Sequence, residues 1–363
     1  MPVTNKDGRF IAFHALRNSL ISHALSVAST TTQPLIIRNE FVIVVWRITE
    51  KCNLACDFCA YDRRLSFPRR DVLEDTVLRF SKILGDYQRA FGDKILLSWI
   101  GGEPLLWEPL FGLSKQLKKE HNIDCSVTTN GTTLHSPDVR SAVLNTFTEI
   151  TVSIDGLEKY HNQVRHWKNG WKRLATSICA LARERREQLS TTKLRANVVL
   201  MHDNLCDFAE LCEYLAGWGI DEITFNQLGG RDRPEFYANH RLTPSDAFQL
   251  KEIIPHLQQK MESIGARLCG NEAYLDRVQA SARNQKLAIS NCSVAKKFLF
   301  IDERGLVSPC NFTSSEIGVP IEEIGSVSDF RELSSIFSLR LSETPHAACF
   351  DCPSTQVFAK FGS

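Results

Sequence analysis

The chain has 363 residues, 43% of them hydrophobic, with a formal net charge of +1. That length supports a large core with room for a catalytic domain and a smaller one, and the charge balance gives no basis for binding nucleic acid or an anionic membrane surface. No apolar run approaches the roughly 18 residues that a bilayer crossing needs, so a soluble, cytoplasmic protein without nucleic-acid or membrane partners is expected. Residues 1–40 are acid-poor and rich in Ser and Thr, a bias shared with transit peptides. The apolar spacing of RFIAFHALRNSLI argues instead for a packed N-terminal extension.

The first predicted strand, FVIVVWRI (41–48), runs directly into TEKCNLACDFCAY, which places Cys52, Cys56 and Cys59 on one loop. A cubane iron-sulfur cluster normally takes four thiolates. A C-x3-C-x2-C triplet without a fourth cysteine nearby therefore leaves one iron open to another ligand. Structural zinc usually shows paired C-x2-4-C ligands closing a tetrahedron, which this loop lacks. Disulfides are disfavoured because no secretory signal is present. The triplet, with Phe58 before the third cysteine and Tyr61 after it, resembles the radical S-adenosylmethionine (radical SAM) superfamily. The resemblance implies a [4Fe-4S] cluster on the three cysteines, SAM chelated at the open iron, Tyr61 against the adenine, and an electron donor such as flavodoxin or ferredoxin.

Further strands are predicted at 94–100, 124–129, 149–154, 194–201 and 221–228, with apolar content suited to burial on both faces. Helices lie between them. The one at 71–91 opens on Asp71 and Glu74, a capping-box variant, and NLCDFAELCEYLAGWG is amphipathic with a glycine stop. Strand and helix in alternation mean a parallel sheet with right-handed crossovers. Six such units are too few for a closed eight-stranded barrel and match the partial (β/α)6 TIM-like barrel that the resemblance implies for residues 41–265.

Functional residues of such barrels gather at the C-terminal strand ends. The second strand runs into Gly101, Gly102, Glu103 and Pro104, where glycines permit close approach to the backbone and a carboxylate can accept from an ammonium. The same residues would serve a plain turn; the family pattern implies contact with the SAM amino group. Asn130 follows the third strand, and Ser153 and Asp155 follow the fourth, suited to ribose hydroxyls or the methionine moiety. Arg165 is placed by the resemblance against the SAM carboxylate. His161 and His166 read as ordinary helix or loop residues. After the sixth strand, Gln227, Arg231, Asp232 and Glu235 are candidates to face substrate, or else belong to a solvated loop.

The C-terminal region, 266–363, carries a second cysteine set. Cys292 precedes the predicted hairpin FLFI-DERG-LVSP, Cys310 follows it, and CFDC supplies Cys349 and Cys352. The hairpin brings Cys292 and Cys310 to one end, with Gly305 suited to a positive φ in the turn. Four thiolates ending in a CxxC can hold zinc. The spacing also resembles the auxiliary-cluster domains called SPASM and twitch, which implies a small twitch-type iron-sulfur domain with one auxiliary [4Fe-4S] cluster. Of the remaining cysteines, buried ones read as small hydrophobes, and Cys269 is the one to test as a redox or substrate-facing residue.

The resemblance extends to anaerobic sulfatase-maturing enzymes, peptide maturases and the butirosin aminocyclitol dehydrogenase. The expected activity is reductive SAM cleavage to a 5'-deoxyadenosyl radical and hydrogen abstraction from a peptide or protein side chain. A small alcohol or sugar is the alternative substrate, and a non-catalytic iron-sulfur scaffold the alternative class.

Overall fold

The structure is a computed structural model and describes residues 41–289, 292, 297–344, 346–358 and 360–361. The N-terminal extension expected at 1–40 lies outside the described residues. In chain order the elements are β1 (Phe41–Thr49), α1 (Glu74–Phe91), β2 (Lys94–Gly101), α2 (Leu110–His121), β3 (Asp124–Thr129), α3 (Pro137–Leu144) and β4 (Glu149–Ser153). Next come α4 (Glu158–Val164), α5 (Gly170–Glu187), β5 (Lys193–Leu200), α6 (Phe208–Gly217), β6 (Glu222–Gln227), α7 (Pro234–His240), α8 (Pro244–Ser263), β7 (Arg267–Leu268) and α9 (Glu272–Ala282). The C-terminal part adds β8 (Phe298–Ile301), β9 (Leu306–Ser308), α10 (Ser314–Ile317), β10 (Val319–Pro320), α11 (Val327–Glu343) and α12 (Ala347–Phe350).

Among the described residues the strands form one ten-stranded sheet, ordered β10-β9-β8-β1-β2-β3-β4-β5-β6-β7. All pairs from β8 through β1 to β7 are parallel, and only the β8-β9-β10 end is antiparallel. Among the described residues the outer strands β10 and β7 have no further strand partner, so the barrel is open there.

The strands are not dry on both faces, as their composition suggested. In β1, Val42, Val44, Trp46 and Ile48 are buried against the helices while Ile43, Val45 and Arg47 are half-buried, and β5 repeats the alternation. The half-buried face lines an accessible lumen. The helix-facing layer carries the largest side chains: Trp46 packs 5.8 Å from Phe80 and 6.1 Å from Trp99, and the Trp99 indole donates to Ser114 Oγ at 2.9 Å. Fully burying each such side chain stabilises the fold by about 1.5–3 kcal/mol.

The capping box at Asp71 and Glu74 does not form. The α1 N-cap is Leu73, with no side-chain cap; Asp71 instead accepts from Thr49 Oγ1 at 2.6 Å and Lys51 Nζ at 2.5 Å. The tertiary contact to the end of β1 outcompetes the local cap.

The sheet continues across residue 266. β8 pairs in parallel with β1, Ile43 opposite Phe298 and Trp46 opposite Ile301. On the outside, Arg79 of α1 donates to the carbonyls of Ile321 (2.9 Å) and Ile324 (3.2 Å). Phe330 of α11 lies 4.9 Å from Tyr87 and 6.2 Å from Phe80. Leu333, Ile336 and Phe337 join the same continuous core as β1. The turn of the β8-β9 hairpin has Gly305 at φ 81°, and Glu303 in that turn accepts from Arg47 at 3.0 Å, which brings the turn to the barrel mouth.

Candidate active site

Cys52, Cys56 and Cys59 follow β1 on a loop held by its own backbone: Cys59 N–H donates to the Cys56 carbonyl at 3.1 Å and Asp62 N–H to the Cys59 carbonyl at 3.3 Å. Two sulfurs already receive backbone donors, Cys52 from Leu54 N–H at 3.5 Å and Cys59 from Tyr61 N–H at 3.4 Å, and Asn130 Nδ2 lies 3.8 Å from Cys52 Sγ. Such donors favour thiolate over thiol. Burial pushes the free thiols the other way, Cys56 to about 12 and Cys59 to about 11, until a bound cation reverses the balance. Among the described residues no group of three or more His, Cys, Asp or Glu side chains is gathered closely enough to hold a metal ion. The triplet therefore fits an iron-sulfur group by donor chemistry and placement, not as a finished cage.

Two arginines that the sequence gave no reason to select brace the loop. Arg64 donates to the Ala55 carbonyl at 3.0 Å, Asp57 at 2.7 Å and Asp62 at 2.6 Å. Arg69 donates to the carbonyls of Glu50 (2.7 Å), Tyr61 (3.1 Å) and Asp62 (2.6 Å). Although burial opposes it, the hydrogen bonds from Arg64 and then Arg233 hold the Asp62 carboxyl at about 2. His166 joins this bracing through Asp57, at 2.7 Å. Tyr61 lies under the Arg47 guanidinium, 5.4 Å from ring centroid to Cζ.

The glycines after β2 permit close approach of backbone to backbone. A Cβ on Gly101 would lie 2.3 Å from the Thr49 carbonyl oxygen and one on Gly102 2.2 Å from that of Lys51. The space is used by hydrogen bonds, Gly102 N–H to the Thr49 carbonyl at 2.7 Å and Glu103 N–H to the Lys51 carbonyl at 2.8 Å. Glu103 is fully buried. Its carboxylate accepts from Thr129 Oγ1 at 2.6 Å, Asn130 N–H at 2.7 Å and Leu105 N–H at 3.1 Å, and burial raises its pKa. Glu103 thus ties the ends of β2 and β3, while Asn130 Nδ2 reaches Asn53 of the cysteine loop at 2.9 Å.

Asp155 and Arg165 meet in the interior. Asp155 is 0% and Arg165 6% exposed; they form an ion pair at 2.7 Å, and Asp155 also accepts from Val199 N–H at 2.9 Å. The Arg165 guanidinium stands 5.8 Å from the Phe58 ring, between the second and third cysteines, and its charge acts on Cys56 and Cys59. Buried there, Arg165 acts electrostatically on all three cysteines of the triplet. His161, read as ordinary, is fully buried, accepts from Asp155 N–H at 3.3 Å through Nδ1 and is kept neutral by burial and by Arg165. Ser153 ends β4 half-buried on the lumen side.

The loop after β6 spans the mouth. Gln227 ends the strand half-buried, Arg231 donates to the Asn311 carbonyl at 2.9 Å, next to Cys310, and Arg233 reaches Asp62 at 3.2 Å. Asp232 acts electrostatically on Cys59, whereas Glu235 is exposed and paired with Arg233 at 2.6 Å. The loop thus connects the two cysteine sets. In the second set, burial raises Cys349 and lifts Cys352 to about 11, with Cys310 and Cys292 adding to both; these thiols come from three segments. CFDC is held by Cys352 N–H to the Leu287 carbonyl at 3.0 Å and Ile289 N–H to the Cys349 carbonyl at 2.9 Å. Cys269 is buried beside β6, its N–H donating to the Ile223 carbonyl at 2.8 Å.

Residues 46–215 match the Radical SAM superfamily model, so this part of the chain is a radical SAM domain, the class whose cofactors are a [4Fe-4S] cluster and SAM. Pre-heme d1 synthase of Dinoroseobacter shibae is 26% identical over 230 residues, 61% of this chain and 54% of that protein. Serine-type anaerobic sulfatase-maturating enzyme of Bacteroides thetaiotaomicron is 28% identical over 137 residues, 35% of this chain and 32% of that protein. The chain thus spans about half the length of the first of these relatives and a third of the second. In fold it is similar to Streptococcus suis SuiB bound to the precursor peptide SuiA, with TM-score 0.62, 14% identity and coverage of 94% of this chain and 81% of that one. It is also similar to anSMEcpe with bound AdoMet, with TM-score 0.56, 16% identity and coverage of 86% and 88%. No described helix is long and apolar enough to cross a membrane.

Proposed function

We propose that this protein is a radical SAM enzyme that modifies a peptide or protein side chain, with a barrel over 41–265 and an auxiliary cluster region over 266–363. The observation that carries the reading is the convergence of Cys52, Cys56, Cys59, Asn130 and Asp155, from the ends of β1, β3 and β4, with Arg165 at the end of α4. When bound, the [4Fe-4S] cluster and SAM supply a 5'-deoxyadenosyl radical able to take hydrogen from an unactivated carbon. The protein's part is placement and protection.

Cys52, Cys56 and Cys59 are the cluster ligands, and the N–H donors of Leu54 and Tyr61 favour their thiolate forms. Arg165 holds positive charge beside them, and Asp155 keeps that guanidinium oriented. Tyr61, Gly101, Gly102, Glu103, Asn130 and Ser153 form the SAM-facing rim, where Glu103 acts by fixing the backbone of Asn130. Cys292, Cys310, Cys349 and Cys352 would hold the auxiliary [4Fe-4S] cluster, which would supply an electron acceptor for substrate oxidation. Gln227, Arg231 and Asp232 face substrate from the loop between the two sites, and flavodoxin or ferredoxin is the electron donor. The peptide assignment draws on SuiB, whose structure holds a precursor peptide, and on the sulfatase-maturating relative.

Anaerobic reconstitution followed by assay for 5'-deoxyadenosine under reducing conditions tests the reading. Product that depends on reductant is the expected result. A fully iron-loaded protein whose spectrum ignores added SAM, and which yields no 5'-deoxyadenosine, overturns it in favour of a scaffold.

A further inference from the structure

A buried cation with no ion-pair partner among the described residues lies in the barrel lumen. Lys360 is 3% exposed, and its Nζ donates to Asn226 Oδ1 at 2.7 Å and to Asn197 Oδ1 at 3.3 Å. Neither partner carries charge. The carboxylates of the lumen floor are already engaged: Arg195 binds both Glu149 and Glu222, Lys193 lies within 4.0 Å of both, and Arg267 reaches Glu222 at 3.3 Å. Among the described residues no carboxylate is within ion-pair distance of Lys360. A buried ammonium held only by neutral acceptors is costly, and burial accordingly pushes this amine down to about 7, with Arg195 adding to the effect and Cys269 and Glu222 opposing it.

The position is fixed from below. Lys360 N–H donates to the Thr355 carbonyl at 3.1 Å, Arg267 donates to the Phe361 carbonyl at 2.8 Å, and the Arg195 guanidinium stands 5.0 Å from the Phe361 ring. The amine therefore sits on the lumen side of β5 and β6 and not in solvent. Asn197 is in register with Ser153, and Asn226 with Val199, whose N–H binds Asp155. The amine thus lies in the layer of Ser153, just below the mouth. Ser153, Asn197, Val199 and Asn226 are all half-buried, so the lumen around it stays accessible.

We propose that Lys360, with the side-chain amides of Asn197 and Asn226, forms a subsite for a carboxylate of the substrate; this rests on the lumen being the substrate cavity. One ammonium matches one negative charge, whereas a doubly charged phosphate would leave excess negative charge beside Glu222. Asn226 Nδ2, which donates to Asn197 Oδ1 across 3.2 Å, is a second donor for the carboxylate, while Asn197 Oδ1 stays engaged by Thr224. Binding supplies a counter-ion that the described residues do not, and the amine takes up a proton as it does so. For a peptide substrate the consequence is an acidic side chain or terminal carboxylate close to the carbon that reacts.

The test uses the full chain as purified, with succinate as probe, succinamide as the neutral control, and ionic strength held constant. Succinate is expected to raise the thermal midpoint saturably and succinamide to leave it unchanged. Lys360→Met is expected to weaken the apparent succinate affinity at least about tenfold, from the loss of a charged hydrogen bond. Should that variant not fold, Asn226→Asp decides: it places a carboxylate on the amine, so its midpoint rises without succinate and the response to succinate disappears. Equal responses of wild type and variants, an equal effect of succinamide, or no response of the wild type overturns the subsite. The SAM-induced spectral change of reconstituted wild type is measured separately, so failure of the radical SAM reading is distinguishable from failure of the subsite.

Discussion

The two cysteine sets of this protein are assembled in opposite ways. Cys52, Cys56 and Cys59 sit on one loop between β1 and α1, braced by Arg64 and Arg69 over a few residues of chain. Cys292, Cys310, Cys349 and Cys352 come from three segments, held together by the β8-β9 hairpin and the backbone hydrogen bonds of Leu287 and Ile289 to CFDC. The first is a local motif mounted on the parallel sheet; the second depends on long-range docking against β1 and α1. A local site keeps its donors whenever the loop is ordered, whereas a distributed site exists only when the whole edge of the sheet is formed.

The largest way to break the comparison is to delete one set at a time. Replacing Cys52, Cys56 and Cys59 together by Ala is expected to abolish 5'-deoxyadenosine formation and remove about four of roughly eight irons, measured by iron and sulfide analysis. Cys349→Ala with Cys352→Ala is also expected to remove about four irons, while SAM cleavage persists without substrate turnover. A second site built for zinc would instead lose zinc at constant iron.

The asymmetry also explains what could be read from the residues alone. The six strands and the triplet were legible because each is a contiguous pattern: an apolar β-branched run, a fixed cysteine spacing, a glycine pair at a strand end. The pairing of β8 with β1 was not, since nothing in FLFI names its neighbour, and the chain returns to β1 only after some 250 residues. The burial of Arg165 was hidden for a related reason: an arginine after a short helix looks solvated until Asp155 and Phe58 are seen around it. Lys360 carried no signal at all, because its partners Asn197 and Asn226 lie on distant strands.

Smaller perturbations sharpen the contrast within the mouth. Arg165→Met leaves Asp155 as an unpaired buried carboxylate, and breaking such a pair costs about 3–5 kcal/mol. Denaturant unfolding of the protein as purified checks this. Asp155→Asn added to Arg165→Met is expected to recover part of the loss, since the uncompensated charge is gone.

Asp62 offers a test by pH. Its carboxyl is held at about 2 in the fold, against about 3.9 unfolded. A depressed folded-state value means that the stabilisation is fully present above about pH 4 and is lost as pH falls through about 2. Asp62→Asn is expected to cost about 2 kcal/mol at pH 7 and close to nothing at the acid end, checked by denaturant midpoints across that window.

The smallest effect falls on the distributed site and tests it most specifically. Gly305 turns the hairpin at φ 81°, and a Cβ there would lie 2.9 Å from Ile321 Cγ2. Gly305→Ala therefore pays a left-handed backbone penalty of about 1–2 kcal/mol plus a local clash. The cost falls on β8, β9 and the position of Glu303 against Arg47, not on the cysteine loop. Under graded treatment with an iron chelator, the variant is expected to release its first four irons, about half the total, faster than wild type and the remainder at the wild-type rate. Equal acceleration of both phases would mean that the two sites share one stability, and that the distributed set does not depend on its hairpin.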